Sequence, residues 1–160
     1  MDNPLWDFSL KVYAKPAVKG LLLHLQDDLA ADCNVLLALA WLASRGRALN
    51  SEALSALLAQ SALAQEQCLK PLRALRRNVK PLDASQSLYS AAKALELAAE
   101  RWQQDQLLQL LSGAAQASKG VPAVELALAY SGRYGDQLGM GTSVDWSDST
   151  DALMRAMLGA

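Results

Sequence analysis

The stretch that most constrains this chain is Val35 to Ala43, nine consecutive apolar residues lying between Asp32 and Gly46. A bilayer-spanning helix needs about 20 residues, so the run is too short to cross a membrane. Its Leu and Ala content favours helix over strand. It reads as a helix from Asn34 to Ser44, with Asp32 as N-cap and Gly46 as terminator, and it has almost no polar face. Such a helix belongs at the centre of a bundle, wrapped by others.

The remaining residues suit that role. Leu and Ala supply 61 of 160 residues, whereas there are seven Val, two Thr and no Ile, so a sheet protein is close to excluded. The expected fold is all-α: a compact bundle of six to seven helices in one domain over residues 4–130. A polar Gly/Ser/Asp-rich segment, 131–160, follows, read as mobile with a short terminal helix from Asp151. At 160 residues the chain can bury a core without disulfides, and Cys33 and Cys68 are expected as reduced thiols. The first six residues carry an acid and no base, and no apolar stretch follows, so no export signal is expected and the anticipated compartment is the cytoplasm.

Turn and cap residues divide the helices. Pro4 opens a short helix through Ala14, Pro16 opens a second, and Asn50 caps one running to roughly Gln67. Pro71 either kinks that helix or marks a new one from Lys70 to Val79. The longest element runs from Ser85 to Leu111. On it Leu88, Leu95 and Trp102 repeat every seven residues beside Ala92 and Ala99, which predicts an inward stripe. Pro122 starts a short helix ending at Tyr130.

Catalytic chemistry has few candidates. His24 is the one histidine; it sits in a leucine-rich helical stretch with no nucleophile elbow, and reads as a core or boundary residue. Cys33, Cys68 and His24 lack zinc-ligand spacing, and no Gly-rich nucleotide loop occurs. No catalytic residue is assigned. Asp28 and Asp32, if helical, would stand one turn apart and offer Mg²⁺ two carboxylates, with substrate phosphates completing the shell. The simpler account has Asp27 and Asp28 solvating a helix end and Asp32 capping the next helix.

The strongest charge feature is basic. Lys70, Arg73, Arg76, Arg77 and Lys80 place five positive charges within eleven residues without an acid. Lys70, Arg73, Arg77 and Lys80 share a helical face. That face suits an external anion, or acids from within. Glu96 and Glu100 are a like-charge i,i+4 pair, costing a few tenths of a kcal/mol unless basic partners meet them. The favoured arrangement packs the long helix antiparallel to 70–80, with the glutamates against Arg73 and Arg77. Trp6, Phe8, Tyr13, Trp41, Tyr89 and Trp102 are expected as core anchors. Trp146, in the polar segment, either folds back or anchors a linear binding motif.

Several of these residues form a recognisable series: Trp6-x-Phe8, Tyr13-x-x-Pro16-x-Val18, Leu25-Gln26-Asp27, Asp32-x-Asn34-x-Leu36-Leu37 and Trp41-Leu42-Ala43. It continues with Pro71-Leu72-Arg73-x-x-Arg76-Arg77-x-x-Lys80 and Glu96-Leu97-Ala98-x-Glu100-Arg101. Over residues 5–111 the chain resembles an uncharacterised bacterial family of small helical cytoplasmic proteins, a domain of unknown function. The resemblance implies no activity. It marks the Asp27, Asp32 and Asn34 loop and the Arg73/Arg76/Arg77 helix as the signature. Where the family carries a glycine before Asp32 this chain has Ala30, which speaks against a left-handed turn there.

The expected function is a non-enzymatic interaction or adaptor module that needs no cofactor and binds a protein partner or itself. One alternative is a Mg²⁺-dependent binder or enzyme acting on a phosphorylated small molecule. A second is RNA binding through residues 70–80, disfavoured by a net charge of −1. No membrane association is expected.

Overall fold

The structure, a computed structural model, describes residues 2–159; Met1 and Ala160 lie outside them. The described residues form seven continuous helical rods and one two-residue ribbon. Helix α1 is Pro4–Tyr13, α2 is Pro16–Leu29 and α3 is Cys33–Ser44. The fourth rod comprises α4 (Ser51–Ala64), a π-helical segment Gln65–Leu69 and α5 (Lys70–Val79). Helices α6 (Ser87–Ala114), α7 (Ala123–Gln137) and α8 (Val144–Leu158) complete the chain. Strand β1 (Arg47–Ala48) pairs antiparallel with β2 (Gln116–Ala117), tying the turn after α3 to the turn after α6. None of these helices is long and apolar enough to cross a membrane.

Helix α3 occupies the centre. It contacts α1, α2, α6, α7 and α8, and Val35, Leu36, Leu39 and Ala43 are wholly buried among them. An apolar helix surrounded in this way stabilises the fold by roughly 1.5–3 kcal/mol for each large side chain it buries. Local signals set the helix ends. Asn3, Asp32, Asn50 and Ser143 each accept a backbone N–H in the first turn of the helix they precede.

Several expectations change here. The domain boundary expected at residue 130 falls inside α7, and residues 144–158 form a packed helix in place of an extended polar segment. The reason is amphipathicity. Trp146, Leu153, Met154 and Met157 fall on one side of α8 and are buried. That side lies against α2, α3 and α7. The long helix is also rolled relative to its apolar heptad. Leu88, Leu95 and Trp102 are 55%, 53% and 45% exposed, whereas Ala92, Glu96, Ala99, Gln103 and Leu107 are buried. The inward stripe is the one that supplies ion pairs and hydrogen bonds to neighbouring helices.

At Ala30 the backbone is left-handed after all, with φ 56°. It serves as the C-terminal cap of α2, and the N–H of Ala31 reaches Leu25 O at 3.0 Å. A β-carbon in that conformation costs about 1–2 kcal/mol. The capped carbonyls and the burial of Ala31 offset it.

Candidate functional site

Pro71 has no N–H to return to the preceding turn. The helix accommodates it with the π turn just upstream, where the Lys70 N–H reaches back to Gln65 O. Inserting one residue rotates everything after it by about 100° relative to α4. Glu66, Lys70, Arg73 and Arg77 thereby form one face, which walls a cleft of about 520 Å³. The opposing wall is the C-terminal end of α2 with Asp27, Asp28 and Asp32, and Tyr134 of α7 closes one side.

The acidic loop and the basic helix therefore share one solvent-open cleft. Arg77 pairs with Asp27 at 3.4 Å across it, with side chains 60% and 47% exposed. Lys70 pairs with Glu66 one turn back. Deeper, Arg73 lies 3.5 Å from Glu96 and 3.6 Å from Glu100, and its Nη1 donates to Gln65 Oε1 at 3.0 Å. Burial holds the Glu100 carboxyl above the usual range, with Arg73 pulling the other way. The glutamates thus meet arginines as expected, with one change of partner. Arg76, not Arg77, binds Glu96 beside Arg73, and the Glu96 hydrogen bond raises its pKa. Arg76 and Lys80 lie outside the cleft, and Lys80 sits 5.5 Å from the Tyr89 ring centroid. Lys70, Arg73 and Arg77 of the expected face do line the cleft, and Lys80, at its far end, does not.

Behind the acidic wall a buried polar network joins four helices. Asp32 accepts from the Asn34 backbone N–H at 2.9 Å, from Ser61 Oγ and from Gln103 Nε2. Asn34 Nδ2 donates to Gln103 Oε1 at 2.6 Å, and Gln104 Nε2 donates to Asn34 Oδ1 at 2.9 Å. Ser9 Oγ donates to Gln104 Oε1 at 3.1 Å. Asp32 and Asn34 are thus structural centres as well as signature residues.

The pairing of Asp28 with Asp32 on one helical face does not occur. Helix α2 ends at Leu29, Ala30 turns left-handed, and Asp32 is the N-cap of α3. Asp28 instead lies 2.6 Å from His24 Nδ1, while Asp145 lies 3.0 Å from His24 Nε2. His24 is a boundary residue that links α2 to α8. Trp146 is no external anchor. It is 3% exposed, donates from Nε1 to Ser131 O at 3.1 Å and meets the Tyr134 ring edge-on at 5.5 Å.

Sequence reading missed Gln65, Ser61 and Tyr134. Gln103 carried a usable signal, because it continues the spacing of Ala92, Glu96 and Ala99 and so belongs to the inward stripe. Gln65 and Tyr134 carried none, since only the π turn and the docking of α7 bring them to the cleft.

Fold and site together define an all-α helical-bundle protein with a mixed-charge cleft, and the described residues contain no cluster of His, Cys, Asp or Glu arranged to hold a metal ion. The chain belongs to the family described as "Protein of unknown function (DUF2390)", which matches residues 4–107. The matched stretch contains both charged walls of the cleft, and Tyr134 lies beyond it. No curated protein and no solved structure matches the chain.

Proposed function

We propose that this protein is a non-enzymatic interaction module whose cleft takes a short polypeptide segment of a protein partner, one bearing both an acidic and a basic group. The observation that carries this is the exposed Arg77–Asp27 pair spanning the cleft. An exposed pair contributes about 0–1 kcal/mol, so opening it costs little. A segment that presents a cation to Asp27 and an anion to Arg77 replaces one weak pair with two, inside a more enclosed space. The volume lies within the ~300–1,000 Å³ usual for ligand pockets. Support for the Mg²⁺ reading is weakened by the separation of Asp28 from Asp32. Support for RNA binding is weakened because Lys70, Arg73, Arg76 and Arg77 all have carboxylate partners.

The test is to pan a random heptapeptide library against the wild-type protein and against Asp27→Ala and Arg77→Ala. Recovered peptides should pair an acid with a base and lose at least fivefold in affinity on each variant. Recovery of no peptides, or of peptides indifferent to both substitutions, ends the proposal.

A further inference from the structure

Two hydrogen-bond donors of residues lining the cleft have no partner, and a third is paired by charge alone. Gln65 is 8% exposed; its Oε1 accepts from Arg73, while its Nε2 has no partner. Arg73 is equally buried, and its Nε lies 3.5 Å from Glu96 Oε1 without hydrogen-bond geometry. The Tyr134 hydroxyl accepts from the Asp32 N–H at 2.7 Å, and its own proton reaches no acceptor among the described residues. Tyr130, one turn earlier on α7, is a useful contrast. It accepts from Leu49 N–H and also donates to Arg47 O, so its hydroxyl is fully used. Buried donors are rarely left unpaired, because each gives up its hydrogen bond to water without replacing it. All three residues line the same cleft, and Gln65 belongs to the π turn, a feature frequent at functional sites.

We infer that the foot of the cleft is a carboxylate-receiving subsite formed by Gln65, Arg73 and Tyr134, resting on the reading of the cleft as a polypeptide-binding site. An acceptor entering there meets the Gln65 N–H and the Tyr134 O–H, beside the Arg73 guanidinium that Glu96 and Glu100 hold in place. A charged acceptor gains more from these than a neutral carbonyl does. The nearby charges select its valence. Asp28, Asp32 and Glu66 line the same cleft, and Glu96 and Glu100 stand behind Arg73. A phosphate of about −1.5 to −2 is repelled by that surround more strongly than a single carboxylate. Burial raises the Tyr134 pKa, so the hydroxyl keeps its proton for donation. The carboxylate comes from an Asp or Glu side chain or from a chain terminus.

The probe is N-acetylglycine, titrated into ¹⁵N-labelled protein at constant ionic strength and followed through the Gln65 side-chain NH₂ resonance. N-acetylglycinamide and inorganic phosphate are titrated in parallel. Gln65→Glu keeps the acceptor for Arg73 and removes the donor; Tyr134→Phe removes the hydroxyl. The expected result is a saturable shift with N-acetylglycine alone, weakened at least tenfold in both variants, read on the Ser61 amide. No shift, an equal shift with the amide, or tighter binding of phosphate overturns the subsite. Should N-acetylglycine bind while the peptide library yields nothing, the polypeptide reading falls and the subsite stands. Charge-paired peptides unaffected by Gln65→Glu reverse that outcome.

Discussion

A single carboxylate, Asp32, serves the cap of α3, the hydroxyl of Ser61 and the amide of Gln103, joining three helices through one residue. Removing it leaves a cap unmade and two buried donors unpaired. Asp32→Ala should therefore lower stability by about 3 kcal/mol in urea unfolding, and Asp32→Asn, which keeps the cap, by less. His24 works through titration. Hydrogen bonds to Asp145 first and Asp28 second raise its pKa. Its contribution is complete below the unfolded-chain value, about 6.5, and fades as pH rises through the higher folded value. Asp145 is shifted down, chiefly by His24 and then Ser149, so its contribution is present above the ordinary carboxylate range and lost in acid. Thermal midpoints should decline as pH rises beyond about 6.5, and His24→Ala should flatten that decline. The capping role of Asp32 was legible from its place before an apolar run. Of the partners of His24, Asp28 stands one turn along the same helix, whereas Asp145 was not legible, because it is remote in sequence and meets His24 only when α8 docks on α2.

Elements fail or succeed by which face they turn inward. The heptad of Leu88, Leu95 and Trp102 on α6 was the most regular apolar pattern in the chain, and it faces solvent. Ion pairs between Glu96 and Glu100 and α5, and hydrogen bonds between Gln103 and Gln104 and α3, set the roll of the helix instead. Unpaired buried charges would have cost more than exposed leucines save. Helices α7 and α8 show the same dependence on fit. A β-carbon at Gly135 would stand 2.8 Å from Cδ1 and 2.9 Å from Cε2 of Trp146, closer than packed atoms approach. Gly135→Ala should cost about 1–3 kcal/mol in urea unfolding. Gly132→Ala on the same helix, with open space at its β-carbon, should leave stability unchanged or slightly raised. A glycine inside a helix reads as a weak point from sequence; here one of the two is a packing necessity.

The whole molecule is organised around α3, whose burial depends on helices far along the chain. Helices α7 and α8 cover α2 and α3, although the family match ends at residue 107. A fragment ending at Ala114 keeps both charged walls but uncovers the sides of α2 and α3 that α7 and α8 contact. It should lack a cooperative thermal transition by circular dichroism, in contrast to the full chain. What the sequence alone determined is the all-helical class, the central position of the Val35–Ala43 helix, the caps and the attraction between the arginine row and Glu96/Glu100. These follow from local propensity, from the lack of any polar face and from charge, all of which act within a helix or between any two that meet. Tertiary structure decided the roll of α6, the rotation introduced by the π turn, the docking of α8 and hence the makeup of the cleft. Those depend on contacts between residues tens of positions apart, which periodicity along one helix does not encode.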